Sequence, residues 1–325
     1  MNQQRTTLIL MAIFAAFIAI YWIWIKDKKT TSLDSVESQF AISDTASIVE
    51  IELVKLQNDK EAGRLILHRT GKGQWTVNNQ YKAQAQTIQT ALTTLFRLDV
   101  REPVHPNAYQ TVFEAIKRSH IHLKVVTNSE TYRYYISGAS PDGNGTIMMQ
   151  EGAEKPYIVE LPGFQGYLTS RFTTDIDAWR ENMLFDIDPQ IITQVSIKAP
   201  GPDSSFVLKK LNNSWLVNDK PADSTAVVAY LSRYGATYGE SFTNSFCPNC
   251  LDSLKTILPT YSIDIQTNTN KNIQLKLYDR GQEASSFFGI VNTSNEARTV
   301  QKFVIQRYFV SSKFFGSPQA TRQPI

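Results

Sequence analysis

The residues of this chain whose types and spacing could do chemistry are Cys247-Pro-Asn-Cys250, a pair of thiols two residues apart. A thiol at the cap of a helix feels the partial positive charge of the helix N-terminus. That charge lowers its pKa and yields the thiolate needed for disulfide exchange. The pair lacks the preceding tryptophan and the surrounding βαβ pattern of a thioredoxin-like site. As metal ligands the two cysteines supply only half of the usual zinc set. Three readings therefore stand side by side: a structural disulfide or idle thiols, a redox pair, or half of a metal site.

Other polar groups point less sharply. His120 and His122 share a strand face and could ligate a metal together, but Lys124 lies on that face too, and no third ligand sits at an interpretable spacing; a solvated strand face is the plainer reading. His68 and His105 stand apart. Asp175, Asp177, Glu181, Asp186 and Asp188 form an acidic cluster whose spacing matches no calcium loop, so capping and linker roles are expected. Asp142-Gly-Asn-Gly145 reads as a hairpin tip. The chain contains no G-x-S-x-G, H-E-x-x-H, G-x-x-x-x-G-K-[ST] or helix-opening G-x-G-x-x-G motif. No catalytic residue, cofactor or metal is assigned, and a non-catalytic role is favoured.

The elements that must position these residues come in two sets, because the second half of the chain repeats the first. Trp75-Thr-Val-Asn78 returns as Trp215-Leu-Val-Asn218, and His105-Pro-Asn-Ala108 returns as Cys247-Pro-Asn-Cys250, about 140 residues further on. The first copy of the second motif has no cysteines, so its shared task is to start a helix, with Pro106 or Pro248 in the first turn. Trp75 and Trp215 are expected to pack in the core.

Alternation around Ile48–Leu53 and Leu65–Arg69 predicts two strands joined by a polar turn over Gln57–Gly63, with a third strand at Trp75 and Val77. Ile88, Ala91, Leu92, Leu95 and Phe96 fall on one face of a helix, and Val112, Ala115 and Ile116 on the buried side of a second. Strands follow at Ile121–Val125, Tyr132–Ile136, Thr146–Gln150 and Tyr157–Glu160, then a short helix over Gly163–Phe172. In the second half, Val195, Phe206–Lys210, Trp215–Val217, Ser262–Gln266 and Ile273–Tyr278 read as strands. Val227, Val228, Leu231 and Tyr234 form a helical stripe, and Leu254, Ile257 and Leu258 match Val112, Ala115 and Ile116. The endings Tyr167–Phe172 and Phe309–Phe314 also look alike. Period-two runs around a pair of helices predict an α+β unit with a mainly antiparallel sheet, present twice in tandem.

Thr6–Ile25 carries no charge, and its length of roughly 30 Å as a helix matches a bilayer core. It ends in Tyr21-Trp-Ile-Trp24, which suits the membrane–water interface and not a signal-peptidase site. We therefore expect a single-pass anchor in the lipid bilayer over residues 6–25. The flanking charges of Arg5, Lys26, Lys28 and Lys29, with Asp27, account for the whole net charge of +3; removing these four bases and one acid from the 33 and 30 leaves a neutral chain. A nucleic-acid surface would need a clustered basic face, so no nucleic-acid partner is expected. A literal count of flanking positive charges would put the large part of the chain in the cytoplasm, but long domains translocate largely regardless of such charge, and the close spacing of the two cysteines fits an oxidising compartment better; the bulk of the chain is expected on the periplasmic side of an inner membrane. The expected organisation is an anchor over 1–25, a polar linker over 26–45, a first α+β repeat over 46–183, a second over 184–316, and a tail over 317–325.

Phe40-Ala-Ile-Ser-Asp44, Trp75-Thr-Val-Asn78, Tyr81-Lys-Ala83, Arg101-Glu-Pro-Val104 and the run from Pro156 to Tyr167, with Trp179-Arg180, resemble the domain of unknown function 4340 family. The resemblance covers about Phe40 to Trp179 well and the second half loosely. It implies a small bacterial envelope protein with one N-terminal anchor, some relatives being similar to auxiliary parts of gliding or transport systems, and it brings no catalytic residues. The expected function is binding or scaffolding with a membrane or envelope protein partner. The alternative is a membrane-tethered thiol oxidoreductase using Cys247 and Cys250.

Overall fold

A computed structural model describes residues 39–244, 246–294 and 296–316. The expected anchor over 6–25, most of the linker and the tail lie outside the described residues. Among the described residues no helix is long and apolar enough to cross a membrane. The chain divides into two compact units between Glu181 and Asn182.

The first unit runs β1 (Ile48–Gln57), β2 (Lys60–Gly71), β3 (Gln74–Val77), β4 (Tyr81–Lys82), α1 (Ala85–Arg97), β5 (Asp99–Pro103), α2 (Tyr109–Arg118), β6 (Ser119–Thr127), β7 (Thr131–Ala139), β8 (Thr146–Gln150) and β9 (Tyr157–Glu160). Its strands form one nine-stranded antiparallel sheet in the order β4-β3-β2-β1-β6-β7-β8-β9-β5.

The second unit opens with β10 (Met183–Phe185), which pairs with β15 (Thr237–Tyr238) in a small ribbon. Its main elements are β11 (Ile192–Lys198), β12 (Phe206–Leu211), β13 (Ser214–Val217), β14 (Lys220–Pro221), α3 (Ser224–Leu231), β16 (Ser241–Phe242), α4 (Cys250–Lys255), β17 (Tyr261–Thr267), β18 (Asn272–Tyr278), β19 (Ser286–Val291), β20 (Ala297–Gln301) and α5 (Lys302–Ile305). The nine-stranded order β14-β13-β12-β11-β17-β18-β19-β20-β16 is the first unit's order, place for place. Both units are mostly antiparallel sheet with a few helices, an α+β architecture.

Local sequence explains the shared hairpins. Asn78-Asn79 and Asn218-Asp219 both take positive φ, the conformation that a two-residue turn demands and that Asn and Asp tolerate best after glycine. Asn78 Oδ1 also accepts the backbone N–H of Ile66 at 2.8 Å, and Asn218 Oδ1 that of Val207 at 2.9 Å. The asparagine of the repeated motif is therefore a turn residue that also pins the neighbouring strand. A turn of the same kind at Asn58-Asp59 lets β1 and β2 extend through the polar residues expected to form a longer loop.

Each core lies on one face of its sheet. In the first unit Ile88, Ala91 and Leu95 of α1 pack over Leu53, Leu65, Leu123 and Tyr134. Each fully buried large aliphatic contributes about 1.5–3 kcal/mol. On the opposite face Val112 and Ile116 of α2 cover Met149 and Ile158. The rest of that face carries a row of ion pairs in which Glu52 meets Arg64 and Lys124, while Glu151 meets Arg133 and His122.

Four expectations fail in detail. Phe96 is 54% exposed: of the predicted α1 stripe, Ile88, Ala91 and Leu95 are buried and Leu92 is partly so, while Phe96 lies beyond the covered face. Gly163–Phe172 is not a helix: Gly163 and Gly166 hold positive φ, and only Thr169–Phe172 closes a 3-10 turn. In α3 the buried residues are Ala226, Val227, Tyr230 and Leu231, while Val228 faces solvent. Ile257 and Leu258 are not helical equivalents of Ala115 and Ile116, since α4 stops at Lys255 and Leu258 is 92% exposed. Pro259 supplies the reason, because the residue before a proline is driven out of the helical region.

Candidate functional site

The repeated helix start has the same geometry in both units. His105 accepts the N–H of Ala108 on its carbonyl at 2.8 Å, and Cys247 accepts that of Cys250 at 3.1 Å. In the first unit the turn begins on Pro106, and His105 Nδ1 accepts the N–H of Asn107. In the second, Pro248 follows Cys247, and the two cysteines form a disulfide. The expected cap position for Cys247 is not met: Asn249 caps α4, and Cys247 lies upstream in the turn. Cys250 is buried beside Leu254, Tyr278 and Ala297. Trp75 is buried, with the Arg69 guanidinium over its ring, whereas Trp215 is only partly covered.

The other titratable groups are absorbed locally. His120 Nδ1 meets the Ile116 carbonyl at 2.7 Å, and its ring stands edge-on to Tyr135. Burial pushes the His122 pKa down, against the pull of Glu151 at 3.4 Å. These histidines are half-buried beside α2 instead of lying on an open face. Asp175 caps Asp177, Asp177 binds Arg180, Glu181 pairs with Lys82, and Asp188 caps Gln190. Among the described residues no group of three His, Cys, Asp or Glu side chains could hold a metal ion.

Of several open clefts, one of about 820 Å³ lies in the first unit, at the end of the sheet where β6 begins. Sequence reasoning passed over it. Its floor is the row Lys55–Ile121–Ile136, two residues beyond the core row Leu53–Leu123–Tyr134 and on the same face. Lys55 thus continues the inward side of β1. One wall is the segment 167–175, held by Leu168 N–H on Thr146 Oγ1 at 2.6 Å, by Thr169 Oγ1 on the Ser137 carbonyl at 3.1 Å, and by Trp179 Nε1 on the Thr173 carbonyl at 2.8 Å. Thr174 comes down onto Gly63, where a Cβ would lie 2.6 Å from Thr174 Oγ1, so glycine permits the approach. Arg118 and Ser119 complete the rim at the α2–β6 junction.

The second unit closes the matching end. Asp175 and Ser311 each cap the residue two further on, and the carbonyls of Trp179 and Phe315 each accept the N–H that precedes α1 or α3, from Gln84 and Asp223 respectively. These contacts align Thr173 and Thr174 with Phe309 and Val310, and they correct the expected match of Tyr167–Phe172 with Phe309–Phe314. Strand register aligns Lys55 with Ala199, Ile121 with Tyr261, and Thr146 with Phe287. Tyr261 meets Phe287 edge-on at 5.2 Å and Phe309 at a tilt at 4.7 Å, and Ala199 and Val310 pack against the same core. One sheet design thus carries a plugged end in one unit and an open end with a lysine in the other. The legible signal was Lys55 itself, a charge at an inward place in an alternating strand.

Comparisons of this chain with protein-family models, with curated proteins and with solved structures found no match to any of them.

Proposed function

We propose that this chain is a membrane-anchored, non-catalytic binding protein of the cell envelope, built by duplication of one α+β unit, in which the first unit binds and the second serves as scaffold. The observation that carries the reading is the contrast at the sheet ends: Lys55, Thr173 and Thr174 leave a cleft where Ala199, Phe309 and Val310 fill one. Cavities of about 300–1,000 Å³ are the usual size for small-ligand sites.

The anchor over 6–25 and the periplasmic placement rest on the sequence, as does the resemblance to the domain of unknown function 4340 family. An envelope partner reached through the cleft joins that resemblance to the geometry. Cys247–Cys250 acts here as a clasp on a short helix, consistent with the burial of Cys250.

A photo-crosslinking residue at Ser170 or Thr174 in the full chain in its membrane tests the proposal. Products formed from these positions and not from Val310 are expected. No product from either cleft position would refute it.

A further inference from the structure

We infer that the cleft of the first unit takes an anionic, hydroxyl-bearing ligand of sugar size, a carboxylate or phosphate group on a polyhydroxylated body, with Lys55 as its counter-charge. The inference rests on the binding role proposed for that cleft and names the chemistry it would select.

Lys55 is partly buried, and among the described residues no carboxylate pairs with its ammonium group. Proteins usually pair a charge that they carry on the inward side of a sheet, because desolvating it unpaired is costly. Arg118 adds a second positive charge at the rim, while the one acid of the lining, Asp175, already accepts the N–H of Asp177. With Lys55 and Arg118 set against Asp175, the cleft carries a net positive charge.

Apart from His120, whose Nδ1 is held on the Ile116 carbonyl, its remaining polar side chains are hydroxyls. Ser119, Tyr167, Ser170 and Thr174 line it, and none of their hydroxyls is engaged by the protein among the described residues. A hydroxyl both donates and accepts, which suits the hydroxyls of a sugar. Tyr167 is half-exposed and offers an aromatic face to the apolar side of such a ring. The charge selects the anion, and the hydroxyls select what carries it.

The test is isothermal titration of the detergent-solubilised full chain with four probes: glucuronate, glucose 6-phosphate, glucose and inorganic phosphate. Saturable binding of the first two is expected, with glucose and phosphate each weaker by roughly tenfold or more, because each lacks one half of the recognition. Lys55→Met is expected to weaken the two anionic sugars by at least about tenfold. Lys209→Gln in the second unit should change nothing. A preference for only one anionic sugar would assign the charge to carboxylate or to phosphate.

Glucose binding as tightly as glucuronate, or affinity unchanged by Lys55→Met in a folded protein, overturns the inference. Absence of binding by all four probes overturns it as well. Crosslinked products from Ser170 or Thr174 would then still stand for the binding role, so the two failures are distinguishable.

Discussion

Lys55 and Ala199 occupy matching places in two sheets of the same strand order, each two residues beyond a buried core aliphatic, Leu53 in one and Ile197 in the other. The alanine lies among Tyr261, Phe309 and Val310; the lysine faces an open cleft. Simple core building favours the first solution, since an apolar plug adds buried area and strands no charge. The second solution costs stability, which makes it the place to look for function.

Lys55→Met should therefore raise the stability of the first unit. Methionine keeps the length and flexibility of the side chain and removes a charge from the inward side of the sheet. A gain of about 0.5–1 kcal/mol is expected in urea melts at neutral pH. A loss of similar size would mean that Lys55 supports the fold.

Asn78→Ala and Asn218→Ala should each destabilise their own unit by about 1–3 kcal/mol, because alanine loses both the tolerance for positive φ and the hydrogen bond to the next strand. Asn78→Gly and Asn218→Gly restore the backbone freedom alone and should recover part of the loss. Denaturant melts read by Trp75 or Trp215 fluorescence check this. Equal effects in the two units would show that the repeated motif is retained for its turn.

That motif illustrates what the sequence made legible. Strand alternation, the α1 stripe and the repeated W-x-V-N each follow from neighbours a few residues apart, and the structure has them. Leu258 shows the limit. It matches Ile116 by spacing, but Pro259 ends the helix first, and one residue outweighs the periodicity. The cleft was hidden for a different reason. Its floor and wall lie far apart in the chain, and only strand register together with the Asp175 and Ser311 caps shows Thr173 standing where Phe309 stands. The edge strand β5 escaped notice likewise, since it joins the sheet by pairing with β9 some sixty residues later.

Asp142 should titrate far below an ordinary carboxyl. Hydrogen bonds from Ser140, then from Arg101 and the Asn144 N–H, pull it from the ordinary 3.8 down to about 2. A depressed carboxyl stabilises the fold above its unfolded pKa and loses that contribution as pH falls through the folded value, here from about 4 to about 2. Carbon-detected NMR of the side-chain carboxyl should give the low midpoint, and Arg101→Gln should move it up. A midpoint near the ordinary value in the wild type would show that these contacts do not persist in solution.

The second unit should be sensitive to alkali. Tyr234 and Tyr230 share a hydrogen bond at 2.8 Å in a buried aromatic cluster, and burial pushes both pKa values up. Phenols with raised folded pKa values contribute fully below about 10 and lose that contribution as pH rises beyond it. Tyr234→Phe should cost about 1 kcal/mol at neutral pH, since Tyr230 keeps its bond to the Tyr308 carbonyl, and should shift alkaline unfolding upward. Tyrosinate absorbance and melts across the alkaline range measure both effects.

The disulfide can be exchanged for the first unit's own solution. Cys247→His with Cys250→Ala recreates His105-Pro-Asn-Ala108, whose imidazole accepts the N–H of Asn107 at 3.2 Å. Closing so short a loop constrains the unfolded chain little, so the chain-entropy account limits the loss to about 2 kcal/mol. The double variant should fold, melt slightly earlier and crosslink from the first-unit cleft as before. Thiol trapping in cells should find the wild-type pair oxidised throughout. A pair that cycles between states, with a cellular defect in the double variant that its stability does not explain, would instead assign redox chemistry to Cys247 and Cys250. The two outcomes separate clasp from catalyst because the His-Pro-Asn-Ala turn can replace the first and not the second.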